Sequence, residues 1–250
     1  MSRIFITGSA DGLGLLAAKE LVNTGHKVVL HARNEARGKQ ALEKVPKAEQ
    51  VLIADLSDIS ETKKLASEIN ALGKFDAIIY NAGVYQVSGK SADGIPLLFA
   101  VNSIAPYILT SLVQKPERII YLSSDMHLQG DPSLKGISNG HISYSDTKLH
   151  DLILSMAVAR KWKNVFSNAV NPGWVPTKMG GAGAPDSLEE GFRTQVWLAT
   201  SNEPDAKVSG CYFYHKHQTR YQQAAKDPEV QEKLLALCHK ITGIKLNEAM

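Results

Sequence analysis

The chain is short of three things: cysteine, long apolar runs and clustered basic residues. Each shortage excludes something. Its two cysteines, Cys211 and Cys238, show neither metal-ligand spacing nor a disulfide framework, and fit a reducing compartment. A membrane span needs about 20 consecutive apolar residues, and none is present, so no membrane partner is expected. Lys and Arg number 28 against 25 Asp and Glu, a net charge of +3. The basic residues are dispersed, without the stripe that a nucleic-acid partner requires. The first apolar run, Ile4-Phe5-Ile6, stands so near the start that no signal peptide fits before it, and a soluble, cytoplasmic protein is expected. No Gly-x-Ser-x-Gly elbow is present, which argues against serine hydrolysis. His215-Lys216-His217 lacks a third ligand at a suitable spacing, so no metal is expected.

What the chain does have is a beat. Short apolar runs recur at Ile4–Ile6, Val28–Leu30, Val51–Ile53, Ala77–Tyr80, Ile119–Leu122, Phe166–Val170 and Cys211–Phe213. They are continuous rather than alternating, as strands covered on both faces are. Helix-like segments lie between them. Gly14 to Thr24 carries Leu15, Ala18, Leu21 and Val22 at helical spacing and stops at Gly25. Asp58 or Ser60 can cap a helix that reaches Leu72 and ends at Gly73. No linker interrupts the 250 residues. The expectation is therefore one α/β domain: a doubly wound, Rossmann-like parallel sheet of about seven strands flanked by helices.

Ligands of such sheets bind beyond the C-terminal ends of the strands, where this chain keeps its small, polar and glycine residues. After the first strand comes Thr7-Gly8-Ser9-Ala10-Asp11-Gly12-Leu13-Gly14. Its glycines let the backbone approach a pyrophosphate at the positive end of a helix. After the second strand stand His31, Ala32, Arg33 and Asn34, where an acid would favour an unphosphorylated ribose. A guanidinium suits a 2′-phosphate, so NADP(H) is expected over NAD(H). Asp55 and Leu56 follow the third strand; Asp55 accepts a bond from the adenine amino group or caps the next helix. Asn81-Ala82-Gly83 follow the fourth strand, Ser123-Ser124 the fifth and Asn171-Pro172-Gly173 the sixth.

Tyr144 and Lys148 share one helical face. A free tyrosine has a pKa of about 10, and a nearby cation pulls it towards the working range. Leu149, Leu152, Ile153 and Met156 form an apolar stripe with Lys148 on its border. Asn102 lies in an apolar helical segment, where an asparagine requires a bound water or a backbone partner.

In this order, Thr7-Gly8-x-x-x-Gly12-x-Gly14, Asn81-Ala82-Gly83, Asn102, Ser124, Tyr144-x-x-x-Lys148 and Pro172-Gly173 resemble the short-chain dehydrogenase/reductase family, from Arg3 to about Phe213. Ala32-Arg33-Asn34, the long stretch after Ser124 and Asn171-Pro172-Gly173-Trp174-Val175-x-Thr177 look most like its retinol-dehydrogenase-like branch. The resemblance implies that Tyr144 is the acid/base, Lys148 binds the nicotinamide ribose, Ser124 orients the substrate oxygen and Asn102 holds a water linked to Lys148. It implies that Asn81, Ala82 and Gly83 pack beside the adenosine ribose, with Pro172, Gly173, Val175 and Thr177 bordering the nicotinamide. It also implies subunit pairing through the helices of Asn102 and Tyr144, in a homodimer or homotetramer. Residues alone do not separate Ser123 from Ser124.

The stretch Gln129 to Gly136 reads as a loop. Met126, His127, Leu128, Trp174 and Met179 offer an apolar pocket, with 174–192 as a substrate flap. Residues 214–250 form a C-terminal helical segment, in which Asp227-Pro228 opens an amphipathic helix on the domain edge or against another subunit. The activity expected is NADP(H)-dependent hydride transfer with a small or medium apolar ketone, aldehyde or alcohol. A non-catalytic redox sensor, C=C reduction and epimerisation are the alternatives.

Overall fold

The first apolar run becomes β1 (Arg3–Ile6), whose Ile4, Phe5 and Ile6 are fully buried, in a computed structural model that describes residues 1–246. The glycine-rich turn then feeds α1 (Gly12–Asn23), capped by the Asp11 side chain; Gly25 leaves it at φ +86°, a left-handed conformation that favours glycine. The alternation continues through β2 (Lys27–Ala32), α2 (Glu35–Lys44), β3 (Gln50–Ile53), α3 (Ile59–Ala71) and β4 (Ala77–Tyr80). Asp58, rather than Ser60, caps α3 by accepting from Glu61 N at 2.9 Å. After β4 come α4 (Leu97–Phe99), a π-helical turn over Ala100–Ile104 and α5 (Ala105–Leu112). Next are β5 (Arg118–Leu122), a 3-10 turn over Asp125–Gln129, α6 (Lys135–Asn139) and α7 (Tyr144–Lys161). β6 (Phe166–Asn171), α8 (Leu188–Thr200), β7 (Tyr212–Tyr214), β8 (His217–Gln218) and α9 (Pro228–Thr242) complete the order.

The strands form one sheet in the order β3-β2-β1-β4-β5-β6-β7-β8, parallel except for the last pair. The order reverses direction between β1 and β4, which opens a crevice at the strand ends there. Among the described residues the strands number eight rather than the expected seven or so. The eighth has only two exposed residues, and His215 and Lys216 make its turn at φ +48° and +65° with no glycine to announce it. The expected loop at Gln129–Gly136 is likewise partly helical: it leaves the 3-10 turn at Gln129 and enters α6 at Lys135. Residues 214–226 hold the end of β7, β8 and a 3-10 turn rather than only helix, and 247–250 lie outside the described residues.

Alternate strand residues supply two cores. Phe5, Val29, Ile78 and Ile119 pack with Leu65, Ile108 and Leu152 on one face; Ile4, Leu30, Ile79 and Ile120 pack with Leu21 and Leu198 on the other. Against expectation, α7 has no single apolar stripe. Every residue from Thr147 to Val158 is buried, Lys148 included, because α7 is covered from all sides. α9 is one cover: Leu234, Leu235 and Cys238 join the cluster of Leu152, Ile153 and Met156. The hydroxyl of Tyr107, on α5, donates to Ile244 O at 2.7 Å. α9 and the residues after it thus cover part of the α5 and α7 surface from within the chain. No helix among the described residues is long and apolar enough to cross a membrane.

Candidate active site

A cleft of about 450 Å³ opens beyond the C-terminal ends of the central strands. Gly8, Ala10, Asp11, Gly12 and Leu13 form one wall. Gly8 is at φ +64°, and a Cβ there would fall 2.8 Å from Ala82 Cα. A Cβ at Gly14 would fall 2.4 Å from Asn81 Nδ2. Contacts this close exclude any side chain, so the loop needs glycine at both positions. Asn81 donates from Nδ2 to Thr7 O and Gly8 O at 3.1 Å each, and Ala82 N donates to Thr7 Oγ1 at 3.0 Å. Asn81 and Ala82 therefore hold the glycine loop in shape as well as lining the cleft. Asp11 caps α1 and also forms an ion pair with Lys178, which reaches across from the segment after β6.

His31 is a functional residue that sequence reasoning passed over. At the end of β2 it is 2% exposed; its Nδ1 accepts from Gly8 N at 2.9 Å and its Nε2 donates to Ala54 O at 3.1 Å. Burial drives its pKa down to about 4, against the upward pull of the Ala54 carbonyl and Asp55. The neutral imidazole thus fixes the first amide of the glycine loop. Ser9 is turned inward to the same end: its Oγ accepts from His31 N at 2.8 Å and donates to Ile6 O at 3.0 Å. An imidazole near the end of an otherwise apolar strand was the available signal.

Arg33 lines the far end of the cleft together with Arg37, a second guanidinium not singled out from the sequence. Asn34 does not line it; its side chain caps α2 by accepting from Arg37 N at 3.0 Å. Asp55 and Leu56 do. Asp55 does not cap α3, however, because its Oδ1 accepts from Ser57 N at 2.9 Å and Ser57 Oγ at 2.8 Å.

At the other end, Tyr144 opens α7 just after Ser143, whose hydroxyl forms a capping box with Asp146. The Tyr144 ring packs edge-on against Tyr85, with centroids 4.8 Å apart. Lys148 Nζ lies 5.5 Å from the centroid of the Tyr144 ring, and both residues line the cleft. The ammonium donates to Leu122 O at 2.7 Å and to Asp151 Oδ2 at 2.9 Å. Burial works against its charge, but the charges of Asp151 and Tyr144 and the bond to Asp151 outweigh it and raise its pKa above the ordinary lysine value. Gly83 adjoins this group: a Cβ there would lie 3.5 Å from Asn102 Oδ1 and 3.7 Å from Lys148 Nζ.

Asn102 sits in the π-helical turn and not in regular α-helix. It takes the backbone partner that its burial demands: Oδ1 accepts from Val84 N at 2.8 Å, and Nδ2 donates to Val84 O at 3.0 Å and Thr147 Oγ1 at 3.1 Å. It braces the segment after β4 against α7.

The two serines separate by environment. Ser123 is buried, lines the cleft and donates to Lys148 O at 2.7 Å. Ser124 caps the 3-10 turn, accepting from Met126 N at 3.2 Å and donating to Asp125 Oδ1 at 3.1 Å, and does not line the cleft. His127 holds it from behind, donating from Nδ1 to Ser124 O at 2.6 Å while Nε2 accepts from Gln222 N at 3.2 Å. Gln222, unmarked in sequence, also donates its side-chain amide to the carbonyls of His127, Leu128 and Gly130.

Pro172 and Thr177 line the cleft, whereas Gly173 and Val175 shape the segment behind it. Gly173, at φ +82°, lies beside Asp186, which accepts from Trp174 N, and Val175 packs on Gly191 of α8. The irregular part of the expected flap ends before Leu188, where α8 starts. No group of three His, Cys, Asp or Glu residues among those described is arranged to hold a metal.

Together the crevice, the glycine turn at a helix N-terminus and the phenol with its buried cation define a dinucleotide-binding α/β oxidoreductase. Residues 2–187 match the short chain dehydrogenase family, and the chain belongs to it. It is 46% identical, over 98% of each chain, to an oxidoreductase of Emericella nidulans. Retinol dehydrogenase 14 of Homo sapiens is 26% identical, with 96% of this chain and 86% of that one covered. A crystal structure from Mycobacterium paratuberculosis shares the fold with a TM-score of 0.82 at 23% identity, covering 99% of this chain and 95% of the other. Members of the family use nicotinamide cofactors and act on small molecules, and retinol-dehydrogenase relatives are among those of this chain.

Proposed function

We propose that this chain is an NADP(H)-dependent oxidoreductase that interconverts a ketone or aldehyde with its alcohol. One observation carries the reading: a buried, charged Lys148 stands 5.5 Å from the Tyr144 ring in the same cleft as the glycine loop. When bound, the nicotinamide supplies or accepts the hydride. The protein's part is the proton and the geometry. Tyr144 gives its hydroxyl proton to the carbonyl oxygen, and the Lys148 ammonium stabilises the negative charge left on the phenol oxygen. Family resemblance assigns the substrate oxygen to Ser124, on a turn fixed by His127, although Ser123 is the serine that lines the cleft. Asn102 keeps the 84 region and α7 in register beside Lys148. Gly8 to Gly14 receive the pyrophosphate; Gly8, Ala10, Asp11, Gly12 and Leu13 line the cleft at the N-terminus of α1, whose amides and dipole suit an anion. Arg33 and Arg37 support NADP(H), as two guanidinium groups at the cleft end suit a 2′-phosphate. Asp55, Asn81 and Ala82 border the nucleoside; Pro172 and Thr177 border the nicotinamide.

The substrate is apolar and of small or medium size. Among the described residues, Tyr85, Val87, Leu128, Trp174 and Met179 are five of the seven exposed large hydrophobic residues; of the five pocket residues expected from the sequence, Met179 lines the cleft and Met126, His127, Leu128 and Trp174 do not. Val87 and Met179 line the cleft, and Tyr85 packs on Tyr144. The test is turnover of NADPH with a panel of carbonyl compounds, comparing Tyr144→Phe. Loss of the general acid should lower the rate by about 10²–10⁴-fold. Undiminished turnover in the variant refutes the mechanism; tight NADPH binding without turnover on any carbonyl replaces it with a redox sensor.

A further inference from the structure

Lys148 is placed where an ammonium should not survive. Its side chain is 6% exposed, and a lysine buried without a counter-charge sheds its proton, with shifts of up to about 3–5 units. Few of its neighbours help. Tyr144 favours the charge less than Asp151 does, Tyr121 of β5 and Tyr212 of β7 are phenols whose pKa burial pushes up, and His150 is kept neutral by burial and bonded to Ser103. Asp125, on the adjoining 3-10 turn, is exposed and bonded to Ser124. Asp146 is committed to the capping box at Ser143. What remains is Asp151, three residues along α7 and therefore on the same face. Its carboxylate, also 6% exposed, accepts from Lys148 Nζ at 2.9 Å. No other ion pair of Lys148 occurs among the described residues.

We propose that Asp151 is a positioning residue that keeps Lys148 charged and fixed beside Tyr144 before any ligand arrives. An ammonium has three donors. The Leu122 carbonyl and Asp151 take two, which leaves the third for the cleft that Lys148 lines. Asp151 thus acts on the reaction through Lys148 without itself lining the cleft. This role rests on the reading of Tyr144 and Lys148 as the proton-transfer pair. Asp151 stands inside a run of a dozen buried residues, between His150 and Leu152, a setting in which carboxylates are rare unless paired.

The experiment is a pH titration of the lysine ε-carbon resonances of the full chain without ligand, with Lys148→Met used for assignment. In the native protein the Lys148 signal should titrate above the free-lysine value. In Asp151→Asn it should titrate below that value, and Asp151→Glu should restore the native behaviour. A native Lys148 that titrates below the free-lysine value overturns the proposal even if no variant folds, and so does an Asn variant that titrates like the native chain. With a carbonyl substrate and NADPH, Asp151→Asn should lose kcat, and not KM, by about tenfold per pH unit above the new midpoint. The resonance measurement needs no turnover. A native ammonium signal in a chain that reduces no carbonyl would therefore sink the functional reading and leave the role of Asp151 standing.

Discussion

His31→Leu isolates the imidazole that holds the glycine loop. Leucine is close to histidine in size, so the change removes hydrogen bonds more than volume. A half-buried and a buried backbone group lose their partners, the Gly8 amide at 2.9 Å and the Ala54 carbonyl at 3.1 Å. An orphaned buried group costs about 1–3 kcal/mol and a half-buried one less, so the pair costs roughly 1–4 kcal/mol. For a chain of this size each kcal/mol moves Tm by about 2–4 °C, and a fall on the order of 10 °C follows. The Gly8 amide also becomes free to leave the geometry suited to a phosphate. Weakening of NADPH binding by about tenfold, or roughly 1.4 kcal/mol, is expected. Thermal melts followed by circular dichroism give the first quantity, and fluorescence titration with NADPH gives the second. A variant that melts within about 2 °C of the native chain and binds NADPH equally well would show that the imidazole does not anchor the loop.

Two other outcomes concern the buried histidines and the arginines of the cleft. Burial lowers the pKa of both His31 and His150 from 6.5 to about 4. A depressed pKa means that the folded state holds the neutral ring, so this stability is present above about pH 6.5 and is lost as the pH falls towards about 4, by up to roughly 3 kcal/mol for each. Denaturant midpoints measured across that window should fall steadily with acid, and a flat profile would contradict the burial of both rings. Replacing Arg33 and Arg37 together by serine should weaken NADPH binding about ten- to a hundredfold, the worth of a lost charge-assisted bond or two. NADH binding should stay nearly level, and an equal loss for both nucleotides would remove the assignment of the guanidinium groups to the 2′-phosphate.

Continuous apolar runs made the sheet legible, because a strand covered on both faces needs no alternation, and seven strands could be placed in this way. β8 escaped because two exposed residues beyond a turn without glycine carry no such pattern. The glycine loop was legible from its place between strand and helix, as were Tyr144 and Lys148 from their spacing. The sequence was silent wherever a side chain works on backbone far along the chain. His31 reaches Gly8 across 23 positions, and Gln222 reaches the Ser124 turn across more than 90. Asp151 was hidden for a different reason. The apolar stripe of Leu149, Leu152, Ile153 and Met156 does not include it, and only the covering of α7 on all sides buries it.

The seal that α9 places over α7 has a consequence for how the enzyme is used. A neighbouring copy arriving at this flank would meet a surface whose oily residues are already spoken for, with Leu234, Leu235 and Cys238 turned inward. Rigidity around Lys148 is therefore self-supplied.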